Sequence, residues 1–410
     1  MQGVKKVAIP RLNDHHSHTS LYIALLGSKS FWDVGDKASA MKIINESPAD
    51  ELTLIRGWNS NKFTFSNDEL AKMPPVVVVH YSLHRINMSR KAEEMLLDKQ
   101  PEIIKNYKDL DWYEKNIDKV LSFIGSIPKF EKDNIVDHYH DIRLTGVDQV
   151  QDMLLVSKEA LQKVRASRVS DKIGFWASPD MYKTLSPESK ADMLGIKVFT
   201  DGSMGGKTSA MNKPYRNETT KGMLCYTDDG LLEVMRFAAK EKKSISLHVI
   251  GDRALDQVLA ALKKVKAEGL WFPLVRVEHA QFITKSQAQA FKERGVVLCM
   301  QPNFSQDSID LAETLPEGYP EINNPFRMLI DDVGYVPGKD LIFGSDGMPH
   351  GVEYGMGNAL FPPYKGQELT FDEFIKGYTN PNAPAALQVE IDYDRKQVRL
   401  LEPAELRESI

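Results

Sequence analysis

From about residue 133 onwards, short apolar runs alternate with longer segments in which apolar residues recur every three or four positions. The short runs, which are rich in β-branched residues, predict buried strands, and the longer segments predict amphipathic helices. Together with a first run near the start of the chain, the predicted strands cover residues 7–10, 135–143, 173–177, 196–199, 245–250, 274–278, 296–300 and 341–344. The predicted helices between them cover residues 147–164, 231–240, 254–266 and 285–294.

Strands that alternate with helices indicate crossover connections and a parallel sheet. Eight such strands predict an α/β protein with a (β/α)8 TIM-type barrel, a fold that reaches this length with insertions. We therefore assign residues 1–388 to one barrel, with a large insertion or lid at residues 20–130, after the first strand. The polar connection 302–339 is predicted to be a functional loop over the barrel mouth. Residues 389–410 are predicted to form a hairpin and a tail.

Composition and charge narrow the functions that the chain can have. Its 410 residues are 42% hydrophobic and 27% charged, as in a soluble globular protein. The net charge of -5 provides no basic surface, so a nucleic-acid partner is not expected. Residues 1–12 lack the apolar core of a signal peptide, and the longest aliphatic run, residues 76–79, is too short to span a bilayer. Only two cysteines occur, Cys225 and Cys299, so we expect no disulfide framework and a cytoplasmic location.

Two histidines at the end of the first predicted strand are the first sign of a reactive site. Side chains alternate along a strand, so His16 and His18 lie on the same face. Two neighbouring imidazoles can hold one metal ion, because each offers a neutral ring nitrogen. A His-x-His pair alone is a weak signal, and a polar strand end with solvated histidines is the simpler explanation.

Later strand ends supply further candidate ligands. Catalytic side chains of such barrels sit at the carboxyl ends of the strands. There the chain carries Lys197, His248, His279 and Asp346. The histidines and the aspartate are donors of the kind that bind Zn²⁺ and similar ions.

Each of these residues also has a simpler explanation. His248 would serve as a hydrogen-bonded core histidine, and Asp346 would cap the following turn. Lys197, which lies among apolar residues, would form a buried ion pair with Asp201 or Glu278. The occurrence of all of them at strand ends, in this order, favours a metal site over the separate explanations.

Several short motifs together resemble one known group of enzymes. They are residues 14–18 (DHHSH), 196–203 (IKVFTDGS), 248–254 (HVIGDRA), 277–280 (VEHA), 301–302 (QP) and 344–346 (GSD), with weaker marks at 57–59 (GWN) and 83–89 (LHRINMS). In these motifs the sequence resembles the amidohydrolase superfamily, and within it the amidohydrolase-3 group that includes N-substituted formamide deformylase-like enzymes. The resemblance extends over residues 10–388. Members usually carry a small β-sandwich built from both termini, which is expected to be missing here or reduced to the hairpin.

The resemblance implies a role for each candidate ligand. His16 and His18 would bind one metal ion, and His248 and His279 a second. Lys197 would be carboxylated by CO₂ and bridge both ions. Asp346 would contact a metal, accept the proton of its bound water and pass that proton to the leaving nitrogen. One divalent ion or two remain open; zinc is expected first, with Mn, Fe, Co or Ni as alternatives.

Three functions are compatible with such a site. The first is hydrolysis of a non-peptide C–N bond in a small-molecule amide, formamide or cyclic amide. The second keeps the metal barrel but acts as a lactonase, an esterase or a decarboxylase, because the fold does not fix the chemistry. The third is a metal-binding barrel without catalysis. No membrane partner is expected. If the protein forms an oligomer, we expect a homodimer.

Other side chains are predicted to contact the substrate. The predicted substrate-binding residues are His84, His138, His140, Trp176, Gln301 and Asn303, with Tyr81 and His350 as further candidates. His138-x-His140 repeats the opening pattern on the predicted second barrel strand, but the resemblance offers no ligand there. A structural role for these histidines is the alternative, since pockets take few polar groups.

Overall fold

The structure, a computed structural model, describes residues 3–379 and 383–401. The described strands are β1 (Val4–Ile9), β2 (Leu12–Ser17), β3 (Lys29–Ser30), β4 (Thr53–Trp58), β5 (Val76–His80), β6 (Ile86–Met88), β7 (Val147–Asp152), β8 (Ile173–Ala177), β9 (Met193–Phe199), β10 (Ser244–Val249), β11 (Val275–His279), β12 (Val297–Met300), β13 (Leu341–Phe343), β14 (Leu387–Asp392) and β15 (Gln397–Leu401).

The described α-helices are α1 (Thr19–Leu26), α2 (Lys37–Asn45), α3 (Asn67–Lys72), α4 (Arg90–Leu96), α5 (Pro101–Asn106), α6 (Leu110–Lys115), α7 (Ile117–Ser126), α8 (Lys132–Leu144), α9 (Lys158–Arg165), α10 (Pro179–Thr184), α11 (Pro187–Ala191), α12 (Asp228–Lys240), α13 (Asp252–Ala267), α14 (Lys285–Lys292), α15 (Asp307–Asp310), α16 (Val352–Leu360) and α17 (Phe371–Tyr378). Short 3₁₀ or π turns lie at Pro302–Gln306, Pro320–Ile322, Met328–Val333 and Lys365–Gln367.

Eight strands form the barrel. The parallel sheet runs in the order β13-β12-β11-β10-β9-β8-β7-β2. Strands that are adjacent in the barrel are therefore also consecutive barrel strands along the chain. The two ends of the sheet meet where the backbone N–H of Asp346 donates to the carbonyl of His16 at 2.7 Å. The predicted (β/α)8 TIM-type barrel is therefore confirmed.

Three segments differ from the prediction. Residues 7–10 are not the first barrel strand, because β1 pairs antiparallel with β14 and the barrel begins at β2. Residues 135–143 lie in helix α8, where Ile135, Tyr139 and Ile142 are buried at helical spacing. Residues 147–164, predicted as one helix, form strand β7 followed by α9.

Two compact units divide the chain. The barrel unit consists of Met1–Thr19, Asp137–Leu154 and Arg168–Ile410, and the second unit of Ser20–Val136 and Leu155–Ser167. The barrel unit also contains a three-stranded antiparallel sheet, ordered β1-β14-β15. The second unit has its own sheet, ordered β3-β4-β5-β6, in which only β5 and β6 are antiparallel. The tail of the predicted C-terminal segment, residues 402–410, lies outside the described residues.

Gly344 allows the barrel to close tightly. A Cβ atom at this position would lie 2.4 Å from the backbone nitrogen of His16. We expect Gly344→Ala to lower the free energy of unfolding by about 1–3 kcal/mol, because β2 would have to move away. Chemical denaturation followed by tryptophan fluorescence measures the change.

Gly357 provides a matched control for this substitution. It lies inside helix α16, and a Cβ atom there would meet open space. Gly357→Ala is expected to raise the free energy of unfolding by about 0.5–1 kcal/mol. Equal effects of the two substitutions would contradict the proposed close contact at Gly344.

Candidate metal centre

Six of the predicted residues lie together at the carboxyl ends of the barrel strands. Three of the imidazole rings form a chain, with centroids 4.8 Å apart between His16 and His279 and 4.5 Å apart between His279 and His248. The ring of His18 lies 5.7 Å from that of His16. Strand β9 adds the fully buried Lys197.

Asp346 lies between the first two histidines. Its Oδ1 atom is 3.1 Å from Nε2 of His18 and 3.6 Å from Nε2 of His16. One potential ligand atom from each of these three residues falls within 4.8 Å of the other two. The arrangement brings two nitrogen donors and one oxygen donor to a common point, as a divalent cation requires.

Several buried polar atoms here have no hydrogen-bond partner. They include Nε2 of His16, Nε2 of His279 and Nζ of Lys197. Leaving such an atom unpaired costs about 1–3 kcal/mol, so native structures rarely do so without a reason. Cations bound at these two imidazole nitrogens would satisfy them, and the residues present therefore fit a site for divalent metal ions.

The three central imidazoles are uncharged, which is the protonation state in which a histidine binds a cation. Burial lowers the pKa of His16 to about 4, and the positive charge of Lys197 acts in the same direction. Burial and the same lysine lower the pKa of His248 to about 3. Burial also holds the pKa of His279 well below its usual range. All three rings are therefore neutral at pH 7 and carry an available lone pair.

Lys197 does not form the ion pair with Asp201 that would be a simple explanation of its burial. Nζ has no hydrogen-bond partner, while Asp201 accepts backbone N–H groups of Ile250 at 3.1 Å and Gly251 at 2.8 Å. Burial lowers the pKa of the Lys197 ammonium to about 8. A substantial fraction of this amine is therefore neutral near pH 8.

Each of two site histidines is fixed through its second nitrogen. Nδ1 of His16 lies 2.7 Å from Oε2 of Glu278, and Nδ1 of His279 lies 2.7 Å from Oε1 of Gln301. Acceptors at Nδ1 place the proton there and leave Nε2 free for a metal. Nε2 of His248, by contrast, lies 3.1 Å from the carbonyl of Gly202.

Asp14 joins the two edge strands of the barrel at the site. Its Oδ1 accepts the backbone N–H groups of Ser345 at 2.9 Å and of His16 at 3.1 Å. Burial raises the pKa of Asp14 to about 7, although the hydrogen bonds from Ser345 oppose this. No separate role was predicted for Asp14 from the sequence. Its position two residues before His16 was the one indication that it belongs to the site.

The predicted substrate-binding histidines lie in different parts of the fold. His84 belongs to the second unit, where its Nδ1 atom lies 2.9 Å from Oε1 of Glu114. His138 and His140 are on helix α8 rather than on a strand, so their alternate spacing does not place them on one face. The ring of His138 lies 6.2 Å from that of His350, whose Nε2 is 2.9 Å from Oγ of Ser17.

Three further predicted substrate contacts are buried in the barrel unit. Trp176 is 2% exposed, and its ring lies 5.0 Å from the guanidinium carbon of Arg276. Gln301 is bound to His279, and Asn303 donates to the carbonyl of Ser345 at 2.8 Å. Contact of these side chains with a substrate stays a prediction.

Comparisons with known proteins agree with this architecture. The sequence model described as "Amidohydrolase family" matches residues 146–349. The protein called "Putative amidohydrolase YtcJ" of Bacillus subtilis (strain 168) is 29% identical over 110 residues, which are 27% of this chain and 20% of that protein. "Protein LONG AFTER FAR-RED 3" of Arabidopsis thaliana is 30% identical over 118 residues, 28% of this chain and 20% of that protein. The matches thus span about a fifth of the length of these curated relatives.

A solved structure shares the fold over most of the chain. The crystal structure of an uncharacterized metal-dependent hydrolase from Pyrococcus furiosus has a TM-score of 0.66 and 20% sequence identity. The match covers 91% of this chain and 81% of that one. No helix among residues 3–379 and 383–401 is both long and apolar enough to cross a membrane. On its barrel and its family match over residues 146–349, this part of the chain is identified as belonging to the amidohydrolase superfamily.

Proposed function

We propose that the protein is a metal-dependent hydrolase that cleaves a non-peptide C–N bond in a small amide, formamide or cyclic amide. The observation that carries the proposal is the set of buried, unpartnered nitrogen atoms of His16, His279 and Lys197 around Asp346. The family match supports hydrolysis, and the similarity to a putative amidohydrolase of Bacillus subtilis supports an amide as the bond that is cleaved.

The proposed metal ligands fall into two groups. His16, His18 and Asp346 would hold one divalent cation, and His248 and His279 would hold a second. A bound divalent cation supplies a Lewis acid, which makes water more acidic and polarises a carbonyl group. Zinc is the expected ion, because the donors are imidazole nitrogens and carboxylate oxygens.

Asp346 is the proposed general base and acid. Burial opposes ionisation of this carboxyl, but the neighbouring His16 and His18 keep its pKa below the usual range, so it is ionised at pH 7. The carboxylate can then accept a proton from the attacking water and donate it to the leaving nitrogen. The backbone N–H of Asp346 donates to the carbonyl of His16 at 2.7 Å, which holds this residue beside the proposed ligands.

A substrate panel tests the reaction class. Metal-free protein is reconstituted with Zn²⁺, Mn²⁺ or Co²⁺ and assayed against N-formyl amines, cyclic amides, linear amides, dipeptides, lactones, esters and carboxylic acids. We expect turnover of non-peptide amides that depends on the added metal. Turnover of lactones or esters alone, or only decarboxylation, would replace the C–N assignment. A protein that binds no cation would contradict the hydrolase proposal as a whole.

We further propose that Lys197 carries a carbamate, which would supply anionic oxygen ligands to the cations. Its neutral amine adds to the carbon of CO₂, forming an N–C bond, and releases one proton to water. The lowered pKa of Lys197 supports this step, because only the neutral amine reacts. The anion that results would be stabilised by two neighbouring cations, whereas a free ammonium would be repelled.

Carbon-13 labelling tests the carbamate. In metal-loaded protein supplied with ¹³C-bicarbonate we expect one protein-bound carbamate resonance, which is absent from Lys197→Met. The metal content of the two proteins, determined by elemental analysis, shows whether the second cation is lost with the carbamate. An identical carbon spectrum for Lys197→Met and the wild-type protein would rule out a carbamate at this residue.

A further inference from the structure

Inside the barrel, one metal-site histidine is supported by a charged group and another by a neutral group. Glu278 accepts from Nδ1 of His16, and Gln301 accepts from Nδ1 of His279, each at 2.7 Å. Glu278 and Gln301 are both fully buried. The two histidines have the same geometry at Nδ1 and differ in the charge of the acceptor.

Glu278 is fixed in place by a buried arginine. Arg276 donates from Nε to Oε1 at 2.9 Å and from Nη2 to Oε2 at 3.0 Å, a two-pronged contact. Ser246 adds a hydrogen bond to Oε1 at 2.7 Å. This two-pronged contact with a permanently charged guanidinium is typical of a carboxylate, which can only accept from His16.

Arg276 is itself held from several directions. Nη2 donates to the carbonyl of His15 at 2.8 Å, and Nη1 donates to the side chain of Gln151. The indole of Trp176 covers the guanidinium, with its ring 5.0 Å away. These contacts connect strands β2, β7, β8 and β11, so the arginine cannot rotate away from Glu278 without breaking several of them.

The side chain of Gln301 is also oriented by a hydrogen bond, but it carries no charge. Its amide nitrogen donates to the carbonyl of Cys299 at 3.3 Å, which turns the amide oxygen toward His279. A carboxylate acceptor raises the electron density of an imidazole more than an amide acceptor does, and supporting groups of this kind tune metal affinity.

We propose that Glu278, clamped by Arg276, is a positioning residue that makes His16 the strongest imidazole donor of the site. His16, His18 and Asp346 would then hold the first cation, and the position at His279, whose Nδ1 contacts the neutral Gln301, would hold its cation more weakly. This inference rests on the proposed function, because it concerns the same metal site.

Matched substitutions separate the effect of charge from that of shape. E278Q keeps a hydrogen-bond acceptor for His16 but removes its charge, and Q301E adds a charge at the corresponding position beside His279. E278Q alone leaves the buried Arg276 without a negatively charged partner. The double variant R276M/E278Q is therefore measured beside it. Denaturant unfolding of each metal-free protein establishes that it is folded.

Zinc affinity is measured by competition with a chromophoric chelator at fixed pH. We expect the dissociation constant of the first zinc equivalent to rise about 10- to 100-fold in E278Q and in R276M/E278Q. Q301E is expected to lower the dissociation constant of the second equivalent and to leave the first within about threefold. Unchanged first-site affinity in the folded double variant would overturn the inference.

A second measurement needs no metal. In ¹⁵N-histidine-labelled, metal-free protein, His16 is expected to carry its proton on Nδ1, with the resonance assigned by its loss in His16→Gln. A proton on Nε2 instead would overturn the positioning role. Wild-type protein that takes up no zinc would overturn the proposed function and this inference together, whereas unchanged affinity in variants of a zinc-binding wild type overturns the inference alone.

Discussion

Replacing Asp346 with asparagine is expected to lower kcat by about 10²- to 10⁴-fold, the range that a general base and acid contributes. The amide has the shape of the carboxylate but accepts no proton from water at neutral pH. The backbone should tolerate the change, because Asp346 has φ of +58° and asparagine is one of the residues that readily adopts this left-handed conformation. Steady-state kinetics at saturating metal, with metal content determined in parallel, gives the effect.

Asp332 offers a matched control for Asp346. It is an exposed aspartate whose contact with Lys285, 3.1 Å away, is a surface ion pair of small energy. Asp332→Asn is expected to leave kcat within about twofold. If Asp346→Asn, fully loaded with metal, kept more than a tenth of the wild-type kcat, the assignment of the base would be wrong.

Replacing His16 with asparagine is expected to raise the dissociation constant for the first zinc ion by more than about 100-fold, the upper limit for loss of an outer supporting group. The loss should be larger than that because His16 is proposed as a direct ligand, and the shorter side chain cannot reach the cation. Activity is expected to fall in parallel, and excess zinc should restore part of it. Chelator competition and kcat at increasing zinc concentrations provide the measurements.

His80 provides the corresponding control on another strand end. His80 is the last residue of strand β5 in the second unit, and its Nδ1 lies 2.7 Å from Oγ of Ser82. It is not a proposed metal ligand. His80→Asn is expected to leave first-site zinc affinity within about threefold. Equal losses of affinity in His16→Asn and His80→Asn would mean that zinc binding does not depend on the strand end of β2.

Much of the barrel could be predicted from the sequence because its strands are short, β-branched and buried on both faces. Strands β8 to β13 were predicted within a few residues, since helices of clear amphipathic spacing separate them. Residues 135–143 were wrongly predicted as a strand, because a short segment with Ile135, Tyr139 and Ile142 can be assigned to either period. Strand β7 was hidden for the converse reason: its polar residues Asp148 and Gln151 break the apolar run.

The N-terminal strand shows a different limit of sequence reasoning. Residues 4–9 are apolar enough for a strand, but only the partner decides which sheet the strand joins. Here the partner is β14, more than three hundred residues later, with Val7 opposite Val389. Such distant pairing leaves no local pattern in either segment.

The candidate ligands could be proposed from their order at strand ends, because a barrel brings all carboxyl ends of its strands to one mouth. Their supporting groups could not. The contact of His16 with Glu278 joins residues 262 positions apart, and nothing near His16 in the sequence indicates which nitrogen is protonated. The unpartnered state of Lys197 also emerges only from packing, since the sequence alone allows an ion pair with Asp201 or Glu278.

The position of a bound cation decides whether the ends of the barrel strands form the metal site. Crystals of the protein soaked with zinc are measured on both sides of the zinc absorption edge, so that an anomalous difference map locates the ion. We expect the strongest peak about 2.0–2.1 Å from an imidazole nitrogen of His16 and of His18, next to the carboxylate of Asp346. If zinc bound but all anomalous peaks lay away from these residues, the strand ends would not be the metal site.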